Sequence, residues 1–220
     1  GKGPIKNGMA EFVAQEEMGR MTGYWWAPDD SRIAFTQFDE SKVAQVLRNE
    51  IYADEIKLFE QRYPYTGQHN VNIKLGVVTV QKPEIAWIDL GKEQDIYIPR
   101  VQFSQSPTLL TYQWQSRDQQ TLELRAVDLN TQQQKVLITE RSQTWLNLHD
   151  DLHFLKDGKH FVWASERDGY KHLYLYDLNG KALKQLTKGQ WVVNSINAID
   201  EKNNRIYFTG RKDTPLEAHL

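Results

Sequence analysis

The sequence has no cysteine. Disulfides, thiolate chemistry and cysteine-type zinc sites are therefore excluded, while the compartment stays open. It has no Asn-x-Ser/Thr sequon either, which disfavours a eukaryotic secreted protein. Its apolar runs fall far short of the ~18–20 residues that span a bilayer as a helix, so no membrane span is expected in this chain. The opening stretch, Gly1 to Gly8, lacks the apolar core of a signal peptide, so any leader is expected upstream or already removed. Charge of one sign is also missing. The 27 basic and 29 acidic residues are interspersed, giving a net charge of −2. That removes the basic field that nucleic acid requires, and no nucleic-acid partner is expected. There is no glycine-rich phosphate loop, and no cofactor is expected.

Aromatic residues are plentiful, at 11% with seven Trp and ten Tyr, which favours strands. A turn cluster followed by an aromatic-rich strand occurs four times. Asp29-Asp30-Ser31 precedes Arg32 to Thr36, and Gln105-Ser106-Pro107 precedes Leu109 to Trp114. Asp157-Gly158-Lys159 precedes His160 to Ala164, and Lys202-Asn203-Asn204 precedes Arg205 to Thr209. Later strands end in Asp-Leu at Asp89-Leu90, Asp128-Leu129 and Asp177-Leu178. A four-stranded unit recurring every ~40–50 residues is the mark of propeller blades. The spacing predicts an all-β chain, a partial β-propeller of about three and a half four-stranded blades, with one short helix near the N-terminus. The blades fall roughly at 21–95, 96–145, 146–189 and 190–220, the last incomplete: Ala218-His219-Leu220 matches the opening of a third strand at Lys171-His172-Leu173.

Two stretches break the rhythm. Lys42 to Asn70 is too long for a blade turn, and its apolar residues, among them Val46, Leu47, Ile51, Ile56, Leu58 and Phe59, have mixed spacing. It either folds back on its own blade or docks on a second subunit. The other stretch, Ala10 to Met21, is rich in good helix formers, with Gly23 as its stop. It carries Glu16 and Glu17, adjacent carboxylates whose side chains diverge by ~100° on a helix. Paired carboxylates suit a free ammonium group, which offers three donors and a full charge. The plainer reading is a surface salt bridge between Glu16 and Arg20, at i and i+4, worth ~0.3–0.5 kcal/mol.

The run Ala10-Glu11-Phe12-Val13-Ala14-Gln15-Glu16-Glu17 and then Gly23-Tyr24-Trp25-Trp26-Ala27-Pro28-Asp29 resembles the dipeptidyl peptidase IV family in its bacterial form. Tyr63-Pro64-Tyr65-Thr66-Gly67, Glu166-Arg167-Asp168-Gly169-Tyr170-Lys171-His172-Leu173 and Gln185-Leu186-Thr187-Lys188-Gly189 extend the resemblance over nearly the whole chain. It implies an eight-bladed propeller joined to an α/β-hydrolase domain. The enzyme so implied is a serine peptidase that releases N-terminal X-Pro or X-Ala dipeptides from peptide substrates with a free N-terminus. Glu16 and Glu17 would hold the substrate's ammonium and so measure two residues to the scissile bond. The segment near 43–63 would be the arm of a homodimer, and the location would be periplasmic or secreted. Catalytic residues are expected outside this chain, because no Gly-x-Ser-x-Gly elbow occurs in it; the 220 residues alone are expected to be inactive, the hydrolase domain being absent. The alternatives are a non-catalytic interaction propeller and a related prolyl tripeptidyl or oligopeptidase-family enzyme.

His149-Asp150-Asp151-Leu152-His153 sets two His four apart, but Asp stands where a zincin has Glu and a strand follows directly, so no metal site is expected. The resemblance brings Asn147 to His149 near the pocket for the substrate's first side chains. Trp145 and Trp191 either line a ligand surface or pack between blades.

Overall fold

The structure is a computed structural model that describes residues 3–220. The chain divides into two compact units, one running to Gln102 and including Tyr112–Arg117, the other holding Phe103–Thr111 and Asp118–Leu220.

The first unit opens with β1 (Ile5–Asn7), α1 (Phe12–Glu16), β2 (Tyr24–Trp26) and β3 (Arg32–Asp39). β4 (Gln45–Ile51), β5 (Ile56–Arg62), β6 (Asn72–Thr79) and β7 (Lys82–Trp87) follow. β1, β3, β6 and β7 lie side by side in that order, and β2 also pairs with β3. The β3–β6 register runs unbroken from Arg32↔Thr79 to Asp39↔Asn72. Side chains alternate across a strand, so Ala34, Thr36 and Phe38 of β3 and Ile73, Leu75 and Val77 of β6 all point into the core. β8 (Ile96–Tyr97) pairs with the end of the next long strand through Gln115↔Tyr97.

The long stretch from Lys42 to Asn70 is a separate two-stranded hairpin, β4 against β5, in register from Gln45↔Arg62 to Ile51↔Ile56. Directly opposed residues share a face. One face therefore carries Ile51 opposite Ile56, Leu58 opposite Asn49 and Leu47 opposite Glu60, with the four aliphatic side chains exposed to 77%, 66%, 70% and 65%. The other carries Arg48 beside Phe59 and Glu50 beside Lys57.

β9 (Val101–Phe103) and β10 (Leu109–Ser116) come next, and β10 is divided between the units after Thr111. The second unit continues with β11 (Thr121–Asp128), β12 (Gln134–Arg141), β13 (Leu152–Phe154), β14 (His160–Ser165), β15 (His172–Asp177) and β16 (Ala182–Gln185), then β17 (Val193–Asp200) and β18 (Arg205–Gly210). β13 to β16 make a four-stranded antiparallel sheet in sequence order. Its strand β14 is buried on both faces, which explains the unbroken apolar run Phe161-Val162-Trp163-Ala164. Phe161 and Trp163 face Leu122, Leu124, Leu137 and Ile138 of β11 and β12. Val162 and Ala164 face the side where Val193, Ile196, Ile206 and Phe208 of β17 and β18 pack. Sheets stacked face to face, each built from consecutive strands, are what the repeat predicts. After β18, Gly210 and His219 exchange both backbone hydrogen bonds at 2.9 Å, so the Ala218-His219 segment lies where a third strand would begin.

Candidate substrate-anchoring site

The helix carrying the Glu pair is shorter than its composition suggests. α1 covers Phe12–Glu16, not Ala10 to Met21. Glu11 is the N-cap with extended backbone, and Glu17 is the C-cap, its N–H donating to Val13 O at 2.9 Å. The stop is Gly19, whose left-handed φ of +62° reverses the chain and lets Arg20 N reach Ala14 O at 2.9 Å. Gly23 serves another purpose. A Cβ there would sit 2.2 Å from the carbonyl oxygen of Met9, so only glycine allows β3's neighbour to pass this close.

Ala14 and Met18 are buried, which turns Glu16 and Glu17 outward to solvent. Among the described residues neither carboxylate has a hydrogen-bond or ion-pair partner. The expected pair between Glu16 and Arg20 does not form, because the helix ends before Arg20. Instead Arg20 is buried, 6% exposed, and its Nη2 lies 3.9 Å from Oε1 of Glu11, itself 2% exposed. Arg20 Nη1 donates to Thr22 O at 2.8 Å, and the guanidinium sits 5.7 Å above the ring of Trp25. Burial raises the Glu11 pKa; the N–H of Ala14, the Arg20 charge and the N–H of Val13 oppose that rise. Burial likewise lowers that of Arg20, against the pull of Glu11. Sequence reasoning missed this pair. The partners stand nine positions apart, a spacing that no local rule connects.

On its outer side the helix leans on the hairpin's root. The rings of Phe12 and Tyr63 lie 5.0 Å apart, and those of Tyr63 and Tyr65 4.9 Å apart. The arrangement is two solvated carboxylates at the end of a helix pinned from below by an ion pair and from the side by aromatic rings. Such a site can hold a cation.

The second unit has a cavity of about 450 Å³ lined by Glu140, Trp145, Asn147, His149, Trp163, Glu166, Arg167 and Lys171, among others. Its charges are largely satisfied from within. Glu140 accepts from Arg167 at 2.7 Å and from Trp163 Nε1 at 3.2 Å, and Lys171 bonds Asp151 at 2.6 Å. Asn147 donates to both oxygens of Glu166 and accepts from Trp145 Nε1. Burial and the charge of Lys171 push the His149 pKa down to about 4. Its Nδ1 accepts from Asp151 N at 3.2 Å, and its ring meets Trp163 edge-on at 4.4 Å. His149 lies in a loop and His153 on β13, so the two are not on one helix face; among the described residues no cluster of His, Asp and Glu suits a metal. Trp145 is 63% exposed and does line this cavity. Trp191 packs between strands, stacked on Phe208 at 6.0 Å with its Nε1 on Lys188 O.

Residues 1–220 match the family described as Dipeptidyl peptidase IV (DPP IV) N-terminal region. The chain is 28% identical to Inactive dipeptidyl peptidase 10 of Mus musculus, with all of this chain aligned to 29% of that protein. It is also 28% identical to Dipeptidyl peptidase 4 of Trichophyton equinum, covering 98% of this chain and 30% of that one. The crystal structure of Porphyromonas gingivalis dipeptidyl peptidase 4 superposes with a TM-score of 0.90 at 25% identity, over 98% of this chain and 31% of that chain. The chain thus spans about three-tenths of the length of the relatives it matches. Its stacked antiparallel sheets correspond to part of the propeller of those peptidases, and the chain belongs to the dipeptidyl peptidase IV N-terminal family.

Proposed function

We propose that this chain is the substrate-gating, amine-anchoring part of a serine dipeptidyl peptidase that releases N-terminal X-Pro or X-Ala dipeptides. Glu16 and Glu17 take the ammonium of the peptide's first residue. The observation that carries this reading is the pair of adjacent carboxylates, exposed and without a partner among the described residues, on a helix whose other side is buried. A bound ammonium between them supplies three donors and neutralises their mutual repulsion. The test is the full-length protein on an Ala-Pro chromogenic amide. Glu16→Ala and Glu17→Ala should each lower kcat/KM by at least ~10²-fold, about 2.7 kcal/mol. Unchanged kinetics in both variants would refute the role.

The hairpin's exposed aliphatic face supports a homodimer formed through the arm near 43–63. Export to the periplasm or outside the cell goes with the same reading, and fractionation of the source cell tests it. A second reading is a non-catalytic interaction propeller, favoured by the similarity to a relative named inactive. A full-length protein that folds but cleaves no dipeptidyl amide would select it.

A further inference from the structure

A helix of five residues cannot hold its own position. Isolated helices shorter than ~12–15 residues are marginal even with good composition. The bearing of α1, and of the carboxylates at its end, is therefore set by what its side chains touch. Below it are the Glu11–Arg20 pair and the buried Ala14 and Met18. Beside it, from the hairpin's root, lies the ring of Tyr63 on Phe12 at 5.0 Å.

Tyr63 stands on a fixed base. It follows β5 directly, and its N–H donates to Ala44 O at 2.9 Å, closing the hairpin. Arg62 Nη1 ties the same root by donating to Val43 O at 2.8 Å and Ser41 O at 3.1 Å. On the far side Tyr65 N bonds Tyr63 O, and Gln68 N bonds Tyr65 O. Arg117, paired to Asp95 at 2.9 Å, donates to Gln68 O at 3.1 Å. The ring thus projects from a backbone braced at both ends. Phe12 and Glu16 are four residues apart on α1, so they share a face one turn apart.

We infer that Tyr63 is a positioning residue for Glu16 of the pair: its ring, held at the root of the hairpin, fixes Phe12 and through it the carboxylate of Glu16. The inference rests on the amine-anchoring role proposed for Glu16 and Glu17, and extends that site to a segment about fifty residues downstream. The hairpin root is then part of the substrate site as well as the base of the arm.

The test uses the full-length enzyme and an Ala-Pro chromogenic amide. Tyr63→Leu keeps apolar bulk but removes the ring. It should raise KM about 10-fold with kcat within about 2-fold, the pattern of lost ground-state positioning. Tyr63→Phe should behave as wild type, since only the ring is used. In a Glu16→Gln background Tyr63→Leu should add nothing, because non-additivity is the sign of acting through the same group. Phe12→Leu lies off the hairpin and should reproduce the effect; it serves alone if Tyr63→Leu does not fold. The inference is overturned if the ring-removing variants leave KM within about 2-fold, or if their effect is undiminished in the Glu16→Gln background. If Glu16→Gln and Glu17→Gln themselves leave KM untouched, the amine-anchoring reading falls and takes this inference with it. If they raise KM and the ring variants do not, only this inference falls.

Discussion

Arg20→Met leaves the Glu11 carboxylate buried with no cation beside it. Removing one member of a buried ion pair costs ~3–5 kcal/mol, because the other charge stays desolvated. Here the pair is loose. The nearest N–O approach is 3.9 Å, and Glu11 Oε2, Arg20 Nε and Arg20 Nη2 have no hydrogen-bond partner among the described residues. The lower end, ~3 kcal/mol at pH 8, is therefore expected, a fall in Tm of ~6–12 °C for a chain of this size. The cost depends on pH with a definite sign. Burial raises the Glu11 pKa above 4.5 in the folded state, so the native protein holds that proton more tightly than the unfolded chain. This contribution is fully present below the unfolded value and is lost as pH rises through the raised one. Arg20 opposes the rise. Without it the folded pKa climbs further, so Arg20→Met should be markedly less damaging at pH 5 than at pH 8. Glu11→Gln added to Arg20→Met should restore stability to within ~1 kcal/mol of wild type. Urea unfolding at both pH values, read at constant m, measures the wild type and both variants. A cost under ~1 kcal/mol at pH 8, an equal cost at both pH values, or no rescue by Glu11→Gln would refute the reasoning.

Three further outcomes are expected. Leu47→Asp with Ile56→Asp places charge on the hairpin's aliphatic face; sedimentation velocity should show a dimer becoming a monomer, with stability changed by no more than ~0.5 kcal/mol per site. Gly23→Ala drives a methyl into the Met9 carbonyl, and chemical denaturation should register a loss of ~2 kcal/mol or more. His149, held at about 4 by burial and Lys171, binds its proton less tightly when folded, so its contribution is present above pH 6.5 and lost as pH falls towards 4. Acid unfolding of His149→Gln should therefore show a flatter dependence across that window.

The sheets were legible from the turn clusters that precede their strands. Asp29-Asp30-Ser31 marks the start of Arg32–Asp39, and Asp157-Gly158-Lys159 that of the apolar run Phe161-Val162-Trp163-Ala164, which is covered on both faces. The hairpin was not legible as strands. Leu47 and Ile51 are four apart, a helical spacing, yet they share a strand face with Asn49 between them, and no buried side imposes alternation. The Glu pair was legible as chemistry, but its setting was not. Good helix formers continue past Glu17, and the i, i+4 rule offers Arg20 to Glu16. Gly19 ends the helix first, and Arg20 turns inward to Glu11. Propensity describes a residue's local comfort, whereas the buried face of α1 decides where the turn closes.

The hairpin also matters while the chain is being made. Among the described residues neither of its strands has a second neighbour, and Leu47, Ile51, Ile56 and Leu58 lie on one side with Asn49 and Glu60. An open edge with an aliphatic face is a template for indiscriminate strand addition during synthesis. Arg48, Glu50 and Lys57 on the reverse side place charges along the same two strands. Charges so placed follow the gatekeeper pattern that opposes such addition. Replacing them with neutral residues should lower soluble yield long before it alters the folded protein.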